Sequence, residues 1–108
     1  MRYSYTAVIE RGAIVRGELA TEPFEVGWAD EARWFVKVRN LDDSTLEMRT
    51  EVSPDGLVWA PHEQPGTTVT RAGMATWPVR EFGQWLRLRL VCEQEAAPEV
   101  MVYLVLKG

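Results

Sequence analysis

The chain has 108 residues, 46% of them hydrophobic and 26% charged, with a formal net charge of −4. That suits one domain over residues 1–108 with its own core, and excludes a disordered or fibrous chain. The acidic balance argues against a nucleic-acid partner, whose phosphates are met by Lys and Arg, and no apolar run approaches the roughly 20 residues of a membrane helix.

From the start, "YSYTAVIE" (residues 3–10), "AIVRGELAT" (13–21) and "FEV" (24–26) read as strands broken at Arg11-Gly12 and at Pro23. "RWFVKVRN" (33–40) alternates, with Trp34, Val36 and Val38 on one face and Lys37 and Arg39 on the other. "NLDDS" follows as a turn, its Asn and Asp side chains able to bond nearby backbone. "LEMRTEVS" (46–53) then places Leu46, Met48, Thr50 and Val52 opposite Glu47, Arg49 and Glu51.

"SPDG" is a corner. Pro54 restricts φ, Gly56 accepts a positive φ, and a hairpin is expected with "LVWAP" (57–61) as the short strand leaving it. "TTVT" (67–70) and "MATWPV" (74–79) continue as short strands around "RAG". "WLRLRLVC" (85–92) turns Leu86, Leu88, Leu90 and Cys92 inward and Arg87 and Arg89 outward. Those arginines, with Lys37, Arg39 and Arg49, fall among Glu47 and Glu51, which predicts a mixed-charge sheet face. No ten-residue segment keeps a 3.6-residue period. The expected fold is all-β: a single antiparallel β-sandwich or jelly roll of about eight short strands.

The last strand, "VMVYLVL" (100–106), departs from alternation. Val100, Val102, Leu104 and Leu106 occupy one side, and Met101, Tyr103 and Val105 the other. A strand apolar on both faces needs cover on both. Either another subunit supplies it, or the N-terminal segment with Tyr3 and Tyr5 folds over it.

Catalytic chemistry finds little material. The single histidine, His62, sits in the polar loop "PHEQPG" and is expected to be solvated; the single cysteine, Cys92, is in register with buried leucines and reads as a structural thiol. One of each leaves zinc without its usual ligands. One cysteine also excludes an internal disulfide and ties the protein to no oxidising compartment. Nothing at the start reads as a signal peptide, so a cytoplasmic or virion-associated protein is expected. The glycines are scattered singly, so no phosphate loop is expected. Asp30, Glu31, Asp42, Asp43, Glu93 and Glu95 read as solvated turn residues rather than calcium ligands. No catalytic residue, metal site or cofactor is expected.

Five tryptophans are the less ordinary feature. Trp34 belongs to the core by parity, and Trp59 is expected to fold back over the sandwich edge beside the corner. Trp28, Trp77 and Trp85 form the expected surface set, suited to an interface or to stacking on sugar rings.

The corner residues Ser53, Asp55, Gly56 and Trp59, followed by Phe82, Trp85, Leu86, Arg87, Leu88 and Arg89, resemble discoidin-like β-sandwiches, in which an S-x-D-G-x-x-W corner precedes an aromatic-led strand of alternating Arg and apolar residues. A similar order occurs in short bacterial and phage-associated β-sandwich proteins. The resemblance covers about a third of the chain. It implies a structural corner and carries over no ligand-binding residue.

The leading expectation is therefore a non-enzymatic structural subunit that self-assembles, as a homo-oligomer, or docks on a larger particle such as a phage virion. Met101, Tyr103 and Val105, with Trp85, Trp77 and Trp28, are its interface candidates. The alternative is a carbohydrate-binding module that stacks a glycan on Trp28, Trp77 or Trp85.

Overall fold

Side chains that alternate about an extended backbone leave each strand one apolar face, and two sheets can close those faces on each other. The computed structural model, which describes residues 3–108, does this with ten strands. They are β1 (Ser4–Ile14), β2 (Glu18–Ala20), β3 (Phe24–Glu25), β4 (Glu31–Arg39), β5 (Leu46–Ser53), β6 (Ala60–Pro61), β7 (Thr67–Val69), β8 (Gly73–Val79), β9 (Trp85–Cys92) and β10 (Glu99–Lys107). No helix occurs among the described residues.

The front sheet runs β1-β10-β4-β8. In the back sheet β9 and β5 are central; β2 and β3 follow one another along the free edge of β9, and β6 and β7 along that of β5. All pairings are antiparallel. With each pair of short pieces counted as one interrupted strand, ten strands become eight, connected as in a jelly roll.

The core is the seam between the sheets. Trp34, Val36, Leu104 and Leu106 from the front sheet meet Leu46, Met48, Leu88 and Leu90 from the back, each with no solvent exposure. Trp34 Nε1 crosses the seam to donate a hydrogen bond of 3.0 Å to Thr50 Oγ1. The strands β5 and β9 have the bounds their alternation predicts, residues 46–53 and 85–92.

Two expected boundaries are corrected. Arg11-Gly12 does not break the chain: β1 continues through it as one strand, with register shifts between Val8 and Glu10 and between Arg11 and Ala13. Gly12, at φ 97°, lies at the second shift; a glycine here lets the strand bulge and continue. Of "LVWAP" only Ala60–Pro61 joins the sheet, because the amides of Leu57 and Val58 donate to the Asp55 carboxylate instead of to a partner strand. "NLDDS" is a turn as expected, but it carries the chain from the front sheet to the back. Asn40 and Asp43 take positive φ values of 60° and 50°, a region those residue types tolerate.

The sheet edges are interrupted. Besides the shifts in β1, the opposite edge strand β8 contains Pro78, and β6 contains Pro61. Neither proline can donate to a further strand.

Replacing Thr50 by Val keeps the shape but leaves the buried indole N–H of Trp34 without its acceptor. The expected cost is about 1–3 kcal/mol, read as a lower urea midpoint at unchanged slope; an unchanged midpoint would show that the cross-seam bond contributes nothing.

Candidate functional site

β10 lies inside the front sheet, hydrogen-bonded on both edges to β1 and β4, which leaves its second apolar parity on the outer face. Its inner residues fill the seam. Its outer residues line up with those of the neighbouring strands in three rows: Thr6, Val105, Arg33 and Pro78; Val8, Tyr103, Phe35 and Thr76; Arg11, Met101, Lys37 and Met74. Met101, Tyr103, Val105 and Phe35 are half-buried by these lateral neighbours, while Val8 and Met74 are 40% and 58% exposed. No strand among the described residues packs over this face.

The alternative cover expected from the N-terminal segment is overturned. β1 lies beside β10 rather than over it, and Tyr3 and Tyr5 turn to the end of the sandwich. Tyr3 meets Trp28 edge-on at 5.3 Å between ring centroids, and Tyr5 stacks on Phe24 at 6.1 Å.

The outer face also carries charge. Arg11, Arg33 and Lys37 stand in the three rows, which hold no acidic side chain. Arg33 donates to Thr76 Oγ1 at 3.1 Å, and at one end Arg39 pairs with Glu99 at 3.6 Å. At the other end the face opens into a hollow of about 740 Å³ whose lining combines Phe35, Pro78 and Val105 with the acids Asp30, Glu31 and Glu81 and the cations Arg33, Arg80 and Lys107.

The back sheet shows water a different surface. Glu51 accepts from Arg87 Nε at 2.6 Å and from Arg89 Nε at 3.0 Å. Arg89 also meets Glu18, and Arg49 pairs with Glu47 at 2.5 Å. The Arg87 guanidinium stacks over the Trp59 ring, 4.5 Å from its centroid, so Trp59 folds back onto this face. The mixed-charge face is thus present here. Lys37 and Arg39 belong to the front sheet instead.

The expected surface set of tryptophans is corrected. Trp77 pairs with Trp34 in register, shares its inward parity and packs half-buried against the core. Trp85 has the outward parity expected of it but lies half-buried, its ring against Gly56, where a Cβ would stand 3.2 Å from it. Trp28 is the exposed one, at 40%. Beside it, Tyr3, Tyr5, Phe24 and Glu25 line a second, shallower hollow.

The corner after β5 is closed by its own side chains. Ser53, buried, accepts from the amides of Asp55 at 3.2 Å and Gly56 at 2.8 Å. Asp55 Oδ1 accepts from the amides of Leu57 at 2.9 Å and Val58 at 3.2 Å and from the Ser53 hydroxyl at 3.1 Å. Gly56 has φ 78°. The Leu57 and Val58 amides, followed by the Ser53 hydroxyl, hold the Asp55 carboxyl below the usual carboxylate range.

His62 is buried, against the expectation of a solvated loop residue. Its Nδ1 accepts from the Gln64 amide at 3.1 Å, which leaves the proton on Nε2 to donate to the Arg80 carbonyl at 2.6 Å. Nδ1 thus closes its own loop, and Nε2 ties that loop to the one after β8. The Cys92 thiol donates to the Val15 carbonyl at 3.4 Å, a structural role as its parity predicts. Among the described residues no three His, Cys, Asp or Glu side chains are grouped to hold a metal. Sequence parity found Met101, Tyr103 and Val105 but missed Phe35, although its place opposite Trp34 marks it as outward; Val8 and Met74 carry no local signal, because register alone brings them into the rows.

No protein-family model and no curated protein matches the chain, so the discoidin-like resemblance remains one of local motif. Solved structures share the fold at low identity. The PBSX exported protein XepA superposes with a TM-score of 0.63 at 12% identity, over 94% of this chain and 36% of that one; this chain thus spans about a third of XepA. The SPBc2 prophage-derived protein YomS gives 0.61 at 12% identity, over 100% of this chain and 96% of that one. A protein of the disulfide-linked pili of Bacillus endospore appendages gives 0.59 at 14% identity, over 98% and 85%.

Two outcomes test the corner. Gly56→Ala must strain a positive φ and press on Trp85, so a loss of about 1–3 kcal/mol is expected; wild-type stability would refute the contact. The lowered carboxyl of Asp55 favours the folded state above its unfolded value of about 3.9, and this contribution disappears as pH falls through that value and below. Asp55→Asn should therefore lower stability at neutral pH and flatten the acid limb of the stability profile, whereas a parallel downward shift at every pH would contradict the assignment.

Proposed function

We propose that this chain is a non-enzymatic structural subunit whose front sheet docks on another protein surface in a larger assembly. The observation that carries this reading is the outer face of β10, where Met101, Tyr103 and Val105 join Val8, Phe35 and Met74 in an apolar surface without a covering strand. Burying such a surface between subunits removes apolar area from water, and rim charges then set register. A fold shared with the PBSX exported protein XepA, a prophage-derived protein and a pilus protein supports the setting, a phage particle or comparable bacterial assembly. Met101, Tyr103 and Val105 are the interface residues of this reading. Trp85 and Trp77, half-buried in their own sheets, contribute at most their edges.

One observation favours a second reading. The hollow beside Trp28, with Tyr3, Tyr5 and Phe24 as further rings and Glu25 as a hydrogen-bond acceptor, has the chemistry of a sugar-stacking site.

Light scattering on a size-exclusion column is expected to give a mass above that of one chain at micromolar concentration, and Tyr103→Glu to reduce it to the monomer. A wild-type monomer would remove self-assembly and leave docking on a different protein, and an oligomer indifferent to Tyr103→Glu would overturn the front-sheet reading. For the second reading, retention on an insoluble polysaccharide should vanish in Trp28→Ala; no retention of the wild type on any glycan tested removes it.

A further inference from the structure

Leu57 and Val58 are 81% and 72% exposed, more than any other large apolar side chain among the described residues. Their loop is held from within. The amides of residues 55 to 58 are all accepted by Ser53 Oγ or Asp55 Oδ1, and Gly56 rests against the Trp85 ring. The corner therefore holds two apolar side chains outward on a backbone already ordered, which lowers the entropic cost of binding through them. From Ser53 to Pro61 the single ionisable side chain is Asp55.

The front sheet has the complementary character. Its three rows combine Phe35, Tyr103, Val105 and Met101 with Arg11, Arg33 and Lys37, while the acids of this side lie beyond the rows, Asp30, Glu31 and Glu81 in the hollow at one end and Glu99 at the other. Two copies meeting front to front would oppose these cations, an arrangement like charges disfavour. A surface both apolar and acidic suits the face, and the corner of another copy is such a surface.

We propose that the corner of one copy seats Leu57 and Val58 against Phe35, Tyr103 and Val105 on the front sheet of a second copy, with Asp55 facing Arg33 and Lys37. This rests on the reading of the front sheet as an interface and names its occupant. The contact joins unlike surfaces, so a pair keeps one unused face on the first copy and one unused corner on the second, and assembly continues until a ring closes or a filament grows.

Two variants separate the surfaces: Leu57→Asp with Val58→Asp disables the corner, and Tyr103→Glu disables the face, with the exposed Lys37→Glu as substitute should Tyr103→Glu fail to fold. Each alone is expected to sediment as a monomer, with self-affinity weakened about a hundred-fold. Mixed in equal amounts, they should form a heterodimer, since one retains the corner and the other the face. Full assembly by the corner variant, or a mixture that stays monomeric, overturns the proposal; if the face variant alone dissociates, the front-sheet reading survives without it. A wild-type monomer at every concentration overturns the proposal and leaves the front sheet only a different protein as its partner.

Discussion

Everything in the molecule is arranged about the closing of two sheets on the indole of Trp34. It is fully buried, and its one polar atom is satisfied by Thr50 on the opposite sheet. A large ring needs the surrounding leucines and valines in register to exclude water, and its N–H needs one acceptor at one height. The hydrophobic contribution is broad and tolerant, while the hydrogen bond is directional. Together they set how β4 faces β5, and through the pairings of those strands how both sheets are positioned.

With the inner faces spent on each other, the outer faces are what the protein has to offer, and they differ in kind. On the back sheet the charges are satisfied internally: Glu51 lies between Arg87 and Arg89, and Arg87 is further occupied by Trp59. Such a surface gains little from a partner, which would have to displace contacts already made. On the front sheet apolar side chains lie between cations that share their rows with no carboxylate. Desolvating that face would gain apolar burial and forfeit few existing contacts, which is why the proposed interface is assigned to this side of the sandwich.

Much of this was legible in the sequence where one residue of parity decides a side chain's fate. β5 and β9 were readable to their ends because the alternation of their side chains marks one buried face, and β10 showed two apolar faces in need of cover but not the strands that flank it. What escaped was non-local. Glycine after Arg11 looks the same in a turn and in a bulge, and only the partner strand decides between them. Trp77 is inward because β8 pairs with β4 at Trp34, which no local pattern reveals. His62 reads as a loop residue until two loops distant in sequence converge on its ring. The corner was recognised from Ser53, Asp55 and Gly56, but side-chain capture of the Leu57 and Val58 amides, which denies those residues to the sheet, depends on geometry that spacing does not encode.

The interrupted edges have a consequence for how such a molecule could polymerise. A β-sandwich with long straight borders can recruit a neighbour by backbone pairing alone, a route indifferent to side-chain identity and prone to irreversible cross-β growth. Here the bulges of β1, the prolines at positions 78 and 61, and border pieces of two or three residues spoil that comb of donors and acceptors. An assembly of the proposed kind would be left to side-chain contacts, which discriminate between partners and come apart when conditions change.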